Sequence, residues 1–182
     1  MKTESNVMYI LRLALTLLAI TAVVAAALAG VNSITAPAIA ALNAQKTQEA
    51  IELVLPGGGE EVADFPAVAL VSKVYKGENG YAVQTTPGGF DNTITLMVGV
   101  DAEGNVLGIS IVSHSETAGL GAVAAAGTPA GEAFRAGFVG KSGSVSVTKD
   151  GGEIDSITGA TITSRAVCVG VNAALEVVGK MG

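Results

Sequence analysis

Thr93-Ile94-Thr95-Leu96-Met97-Val98-Gly99-Val100, followed by Asp101-Ala102-Glu103-Gly104-Asn105 and Val106-Leu107-Gly108-Ile109-Ser110-Ile111-Val112-Ser113, decides the fold class of this chain. Ile94, Leu96, Val98 and Val100 alternate with Thr93, Thr95 and Gly99, the period of two that a half-buried strand requires. Asp101 to Asn105 is rich in turn formers, so Val106 to Ser113 returns as the antiparallel partner of a hairpin. On the N-terminal side, Ala67–Val71, Lys73–Lys76 and Tyr81–Thr85 are candidate strands between Gly-rich turns. On the C-terminal side, Phe134 and Phe138, four apart after Pro129, predict a short helix. From Ser164 onward, Val167, Val171, Ala174, Leu175 and Val178 recur on one helical face, with Thr163 and Ser164 as start residues. Thr35-Ala36-Pro37 opens a further helix to about Leu55, where Pro56-Gly57-Gly58-Gly59 stops it. Antiparallel strands bracketed by helices make an α+β domain.

Leu13 to Val31 is a run of 19 residues with no charge and nothing more polar than Thr16 and Thr21. That length crosses the hydrocarbon core as a helix. Ala27-Leu28-Ala29 resembles a signal cleavage site, but signal cores usually run about 7–15 residues, so an uncleaved anchor is favoured. Lys2 and Arg12 precede the span and the next basic residue is Lys46, which places the N-terminus in the cytoplasm and the rest outside. The expected organisation is a cytoplasmic N-terminus at 1–12, a transmembrane helix at 13–31, a connecting helix and linker at 32–60, and a globular domain at 61–182.

The net charge is −6, and setting Lys2, Arg12 and Glu4 aside leaves eight basic and fifteen acidic residues beyond the span. An acidic surface without Trp argues against nucleic acid as a partner. Cys168 stands alone, so no intramolecular disulfide forms and no metal-ligand spacing exists; it reads as a small buried hydrophobe. His114, equally alone, reads as a hydrogen-bonding loop residue. Gly119-Leu120-Gly121-Ala122-Val123-Ala124 imitates a dinucleotide fingerprint but lacks the tight strand–turn–helix setting. Gly140-Lys141-Ser142 ends like a phosphate-binding loop, yet Arg135 holds the required upstream Gly position. No Ser-His-Asp set, carboxylate pair or CxxC motif appears, so hydrolysis and side-chain proton transfer are not indicated.

Chemistry concentrates in Asp155-Ser156-Ile157-Thr158-Gly159-Ala160-Thr161. Thr161 offers a hydroxyl that can become a phosphate ester, and Gly159 and Ala160 have almost no side chain to obstruct access to it. The position lies just before a helix, where a phosphate meets free N–H groups and the positive end of the dipole. Thr158 and Thr163 are the other hydroxyls within reach. A polar turn and cap is the plain alternative for the same residues.

This motif resembles the site that flavin transferases modify, in a family of FMN-binding domains whose Thr carries FMN through a phosphodiester. His114-Ser115-Glu116-Thr117-Ala118-Gly119-Leu120-Gly121 resembles that family's His-x-Glu-Thr-Pro-Gly-Leu-Gly segment, with Ala118 in the Pro position, a departure that bears on the stiffness of the turn. The family comprises the G subunit of the Rnf electron-transport complex and the C subunit of the sodium-pumping NADH:quinone reductase. The resemblance runs from the anchor through Gly80-Tyr81 to the C-terminal helix. It implies covalent FMN on Thr161, with Asp155, Thr158, Gly159 and Ala160 recognised by the transferase, and a flavin-side wall of Glu116, Thr117, Gly119, Leu120 and Gly121. Lys141 is a candidate cation for the flavin phosphate.

The implied function is electron transfer in an Rnf-type ferredoxin:NAD oxidoreductase coupled to ion transport, among other membrane and redox subunits and without turnover of its own. The compact chain, lacking long insertions, disfavours the sodium-pump subunit. A stand-alone extracellular flavin carrier and a flavin-free, membrane-anchored scaffold are the remaining alternatives.

Overall fold

The computed structural model describes residues 2–181, with side chains from Asn6 onward. The chain divides into two compact units, Met1–Gln45 and Lys46–Gly182. Helix α1 (Lys2–Val54) belongs to both. The expected span at 13–31 and the helix expected to begin near Pro37 are therefore one continuous element, with Pro37 inside it. Proline removes one backbone donor and usually breaks a helix. Here nearby hydroxyls bond back to the turn that precedes it: Thr35 Oγ1 donates to the carbonyl of Val31 at 3.0 Å and Ser33 Oγ to that of Gly30 at 2.8 Å. Thr16 and Thr21 donate likewise to Arg12 and Leu17, so the apolar stretch presents satisfied hydroxyls, as a hydrocarbon surrounding requires. The helix is long and apolar enough to cross a membrane, and none of its most apolar stretch is buried.

In the second unit, five strands form an antiparallel meander in chain order: β1 (Glu60–Val62), β2 (Val71–Gly77), β3 (Gly80–Thr85), β4 (Thr95–Val100) and β5 (Val106–Ser113). The expected α+β class holds, and the β4–β5 hairpin pairs Leu96 with Ile111 and Val98 with Ile109. Ala67–Leu70 is not strand; Leu70 has a positive φ of 71°, which ends regular extension before Val71. Strand β1 carries no alternating signal and exists by pairing its three residues with Val74–Lys76.

Helices α2 (Pro129–Ala136) and α3 (Thr161–Met181) complete the unit. The apolar stripe Val167, Val171, Ala174, Leu175 and Val178 of α3 is buried against Leu96, Val98 and Val100. Removing each of the valine and leucine side chains from water contributes about 1.5–3 kcal/mol. Phe134 and Phe138 meet edge to face in the same core, with ring centroids 5.3 Å apart. The other sheet face is also covered: Ala50, Ile51, Val54 and Leu55 pack on Tyr75, Ala82 and Met97. That is why β4 is buried on both faces, and why Gly99 has no side chain, since a Cβ there would overlap the Val54 carbonyl. Helix α3 begins at Thr161, three residues earlier than Ser164.

Candidate functional site

Loops 87–94 and 114–121 and the start of α3 meet around one group, the Glu116 carboxylate, and the turn 148–152 reaches the same cavity through Lys149. The carboxylate residue is 7% exposed and is the buried acid among the described residues. A buried charge demands donors. Its Oε2 accepts from Thr163 Oγ1 at 2.5 Å, and Oε1 accepts from the N–H of Phe90 at 2.9 Å and of Asp91 at 3.4 Å. The N–H of Glu116 donates to His114 Nδ1 at 3.2 Å, the loop role expected for that histidine. Gly89 and Gly121 press on the carboxylate so closely that a Cβ at either would overlap it.

Thr161 is set by its own neighbours. Gly159 turns the chain with a φ of 77°. Ser164 Oγ then accepts from the Ile157 N–H at 3.0 Å and donates to the Ala160 carbonyl at 3.0 Å, clamping the loop onto the first turn of α3. Thr163 and Ser164 are thus buried inside that turn and do not cap it from outside. Lys149 Nζ donates to Thr161 Oγ1 at 3.0 Å. The short 3-10 turn that carries Lys149 (Thr148–Asp150) is tied to α3 by Asp150, whose two oxygens each accept from Arg165 at 2.6 Å. Those bonds to Arg165 hold the Asp150 carboxyl below its ordinary value and raise the Arg165 guanidinium. Both stay ionised across the neutral range.

Of the expected residues, Thr161, Glu116, Thr117, Leu120, Gly121, Gly159 and Ala160 line one cavity of about 280 Å³. Phe90, Lys149, Ile162 and Thr163 complete it. Gly119, Asp155 and Thr158 line a second cavity of about 440 Å³, beside Phe134 and Val123. A more open groove of about 490 Å³ between the end of α1 and β5 holds none of the expected residues. Lys141 pairs with Glu153, so the cation beside Thr161 is Lys149. Lys149 and Phe90 escape sequence reasoning because they lie 12 and 26 residues from their partners Thr161 and Glu116. The turn signal Asp150-Gly151-Gly152 and the pair Gly88-Gly89 are the local hints that each side chain is held on a shaped loop.

The donor set suits a phosphorylated cofactor with a flat ring. The Thr161 hydroxyl, Lys149 and the first turn of a 21-residue helix lie together, a setting that suits a phosphate. Leu120, Ile162 and Phe90 add large apolar side chains to the lining of the same cavity. Among the described residues no group of side chains could hold a metal ion. Cys168 is buried in α3, and desolvation pushes its thiol up to about 11, away from redox or ligand chemistry.

Residues 89–176 match the FMN-binding domain family. The chain is 34% identical to the G subunit of the Na(+)-translocating ferredoxin:NAD(+) oxidoreductase complex of Acetobacterium woodii, over 97% of this chain and 95% of that protein. It is 34% identical to the G subunit of the ion-translocating oxidoreductase complex of Methanosarcina acetivorans, over 93% and 94% respectively. The corresponding protein of Pseudomonas aeruginosa is 38% identical over 62% of this chain and 55% of its own length. This chain belongs to the FMN-binding G-subunit family of ion-translocating oxidoreductase complexes.

Proposed function

We propose that this protein is the membrane-anchored, FMN-carrying electron-transfer subunit of an Rnf-type ferredoxin:NAD oxidoreductase coupled to ion transport. The FMN is bound covalently, as a phosphate ester on Thr161 added by a flavin transferase. The observation that carries the reading is the convergence of the Thr161 hydroxyl, Lys149, Glu116, Thr117, Leu120 and Gly121 on one cavity. Thr163, another acceptor considered from sequence, is 2% exposed with its hydroxyl committed to Glu116. Thr158 lines the second cavity.

When bound, FMN supplies reversible electron chemistry that side chains lack. The chain's own residues bind and orient. Thr161 holds the tether, Lys149 and the α3 N-terminus offset phosphate charge, and Leu120 and Ile162 cover the ring. Tethering outside the membrane keeps the local cofactor concentration high where a dissociated flavin would be diluted away. With no nicotinamide fingerprint and no iron–sulfur ligand spacing in its sequence, the chain passes electrons between partner subunits. The names of its relatives, subunits of complexes, support that assignment. The globular unit sits on the outer face, by the charge bias of Lys2 and Arg12.

Thr161→Ala, made with a flavin transferase present, loses the flavin fluorescence that wild-type protein keeps in a denaturing gel. Fluorescence retained by the variant would refute the attachment site.

A further inference from the structure

Phe90 is 66% exposed, whereas Phe134 and Phe138 are buried and Phe65 and Tyr81 pack partly against the core. Its backbone is nonetheless closely held. The Gly89 N–H donates to the Asn92 carbonyl at 2.8 Å, the Ile94 N–H donates to that of Pro87 at 2.9 Å, and Gly88 bridges Thr93. The N–H of Phe90 itself ends on Glu116. Leu120 and Ile162, on two other segments, are also large, apolar and about half exposed, and all three line the same cavity. Exposed apolar groups converging from three segments onto one concavity mark a binding surface.

We propose that Phe90 is an aromatic wall of the flavin seat and that Glu116 is the positioning residue that aims it, an inference that rests on FMN occupying this cavity. An aromatic ring packs on a flat conjugated ring in offset or edge contact, and a ring on a fixed backbone gives up little freedom in doing so. Glu116 has the geometry for the second role. One oxygen holds loop 87–94, the other holds α3 through Thr163, and the carboxylate therefore sets the spacing between Phe90 and the helix that starts at Thr161. With both oxygens engaged inside the protein, Glu116 acts through the wall that it holds. A Gln preserves both ties, its carbonyl accepting from Phe90 and its amide donating to the Thr163 hydroxyl. An Ala removes both.

Iodide quenching of flavin fluorescence, measured per bound flavin on the full chain in mild detergent, tests this. Phe90→Ala and Glu116→Ala each raise the quenching constant several-fold, Glu116→Gln stays near wild type, and Phe90→Ala combined with Glu116→Ala adds little to either alone. A wild-type constant in Phe90→Ala overturns the wall; equal quenching of Glu116→Ala and wild type, or strict additivity, overturns the positioning role. Should Glu116→Ala fail to fold, Thr163→Val cuts the tie to α3 alone, and an unchanged constant there counts against the role in the same way. The attachment reading is judged separately, by flavin that survives denaturation: FMN held without a covalent bond would end that reading and leave the iodide comparison intact. A wild-type chain that takes up no FMN overturns both.

Discussion

Glu116 shows how one side chain organises a site while resembling, in sequence, an ordinary loop acid. The motif around it signals a flavin wall by resemblance, but nothing local announces that its carboxylate is buried and spans from loop 87–94 to α3. That information is non-local, as is the link from Lys149 to Thr161. The glycines beside it are more legible in hindsight. A Cβ at Gly121 would lie 2.6 Å from Thr163 Oγ1 and overlap the Glu116 carboxylate. Gly121→Ala therefore destabilises the globular unit by about 1–3 kcal/mol, the usual cost of overpacking. Thermal unfolding of the full chain in detergent measures this, and a variant as stable as wild type would show that the Glu116 cluster is loosely packed.

At the scale of elements, periodicity predicted what it physically encodes. The β4–β5 hairpin and the buried stripe of α3 are where the alternation of two and the spacing of three and four place them. It missed β1, whose three residues are held by a partner strand, and it placed the start of α3 too late because Thr163 and Ser164 look like caps. Polar residues at a helix start can cap it or be buried to clamp a loop, and only the neighbours decide. The turn–α3 link is testable through pH. Arg165 lowers the Asp150 carboxyl, so the native chain binds fewer protons there than the unfolded chain. The stabilisation is present above the ordinary aspartate value of 3.8 and is lost as pH falls through the lower folded value. Both groups are exposed, so the effect is small. Asp150→Asn lowers the melting temperature slightly at neutral pH, and the difference from wild type closes in acid. A gap that persisted at the acid end would mean that the ion pair is not its source.

For the whole molecule, the anchor was legible as composition, its continuity through Pro37 was not, and the α+β class followed from the hairpin outward. Apolarity alone does not make a span. Helix α3 is long and apolar enough for the same role, yet 67% of its most apolar stretch is buried in the core. Orientation rests on Lys2 and Arg12 with no charge from 32 to 45. Protease added to right-side-out vesicles should digest the globular unit, and digestion confined to inverted vesicles would reverse the topology. The central claim, FMN on Thr161, is tested most directly by fragmenting the tryptic peptide that runs from Asp150 to Arg165 in protein made with a flavin transferase. That peptide carries Thr158, Thr161 and Thr163 together, so its fragment ions separate the three hydroxyls. The account predicts the FMN mass on Thr161 alone. An unmodified peptide, or the mass on Thr158 or Thr163, would contradict it.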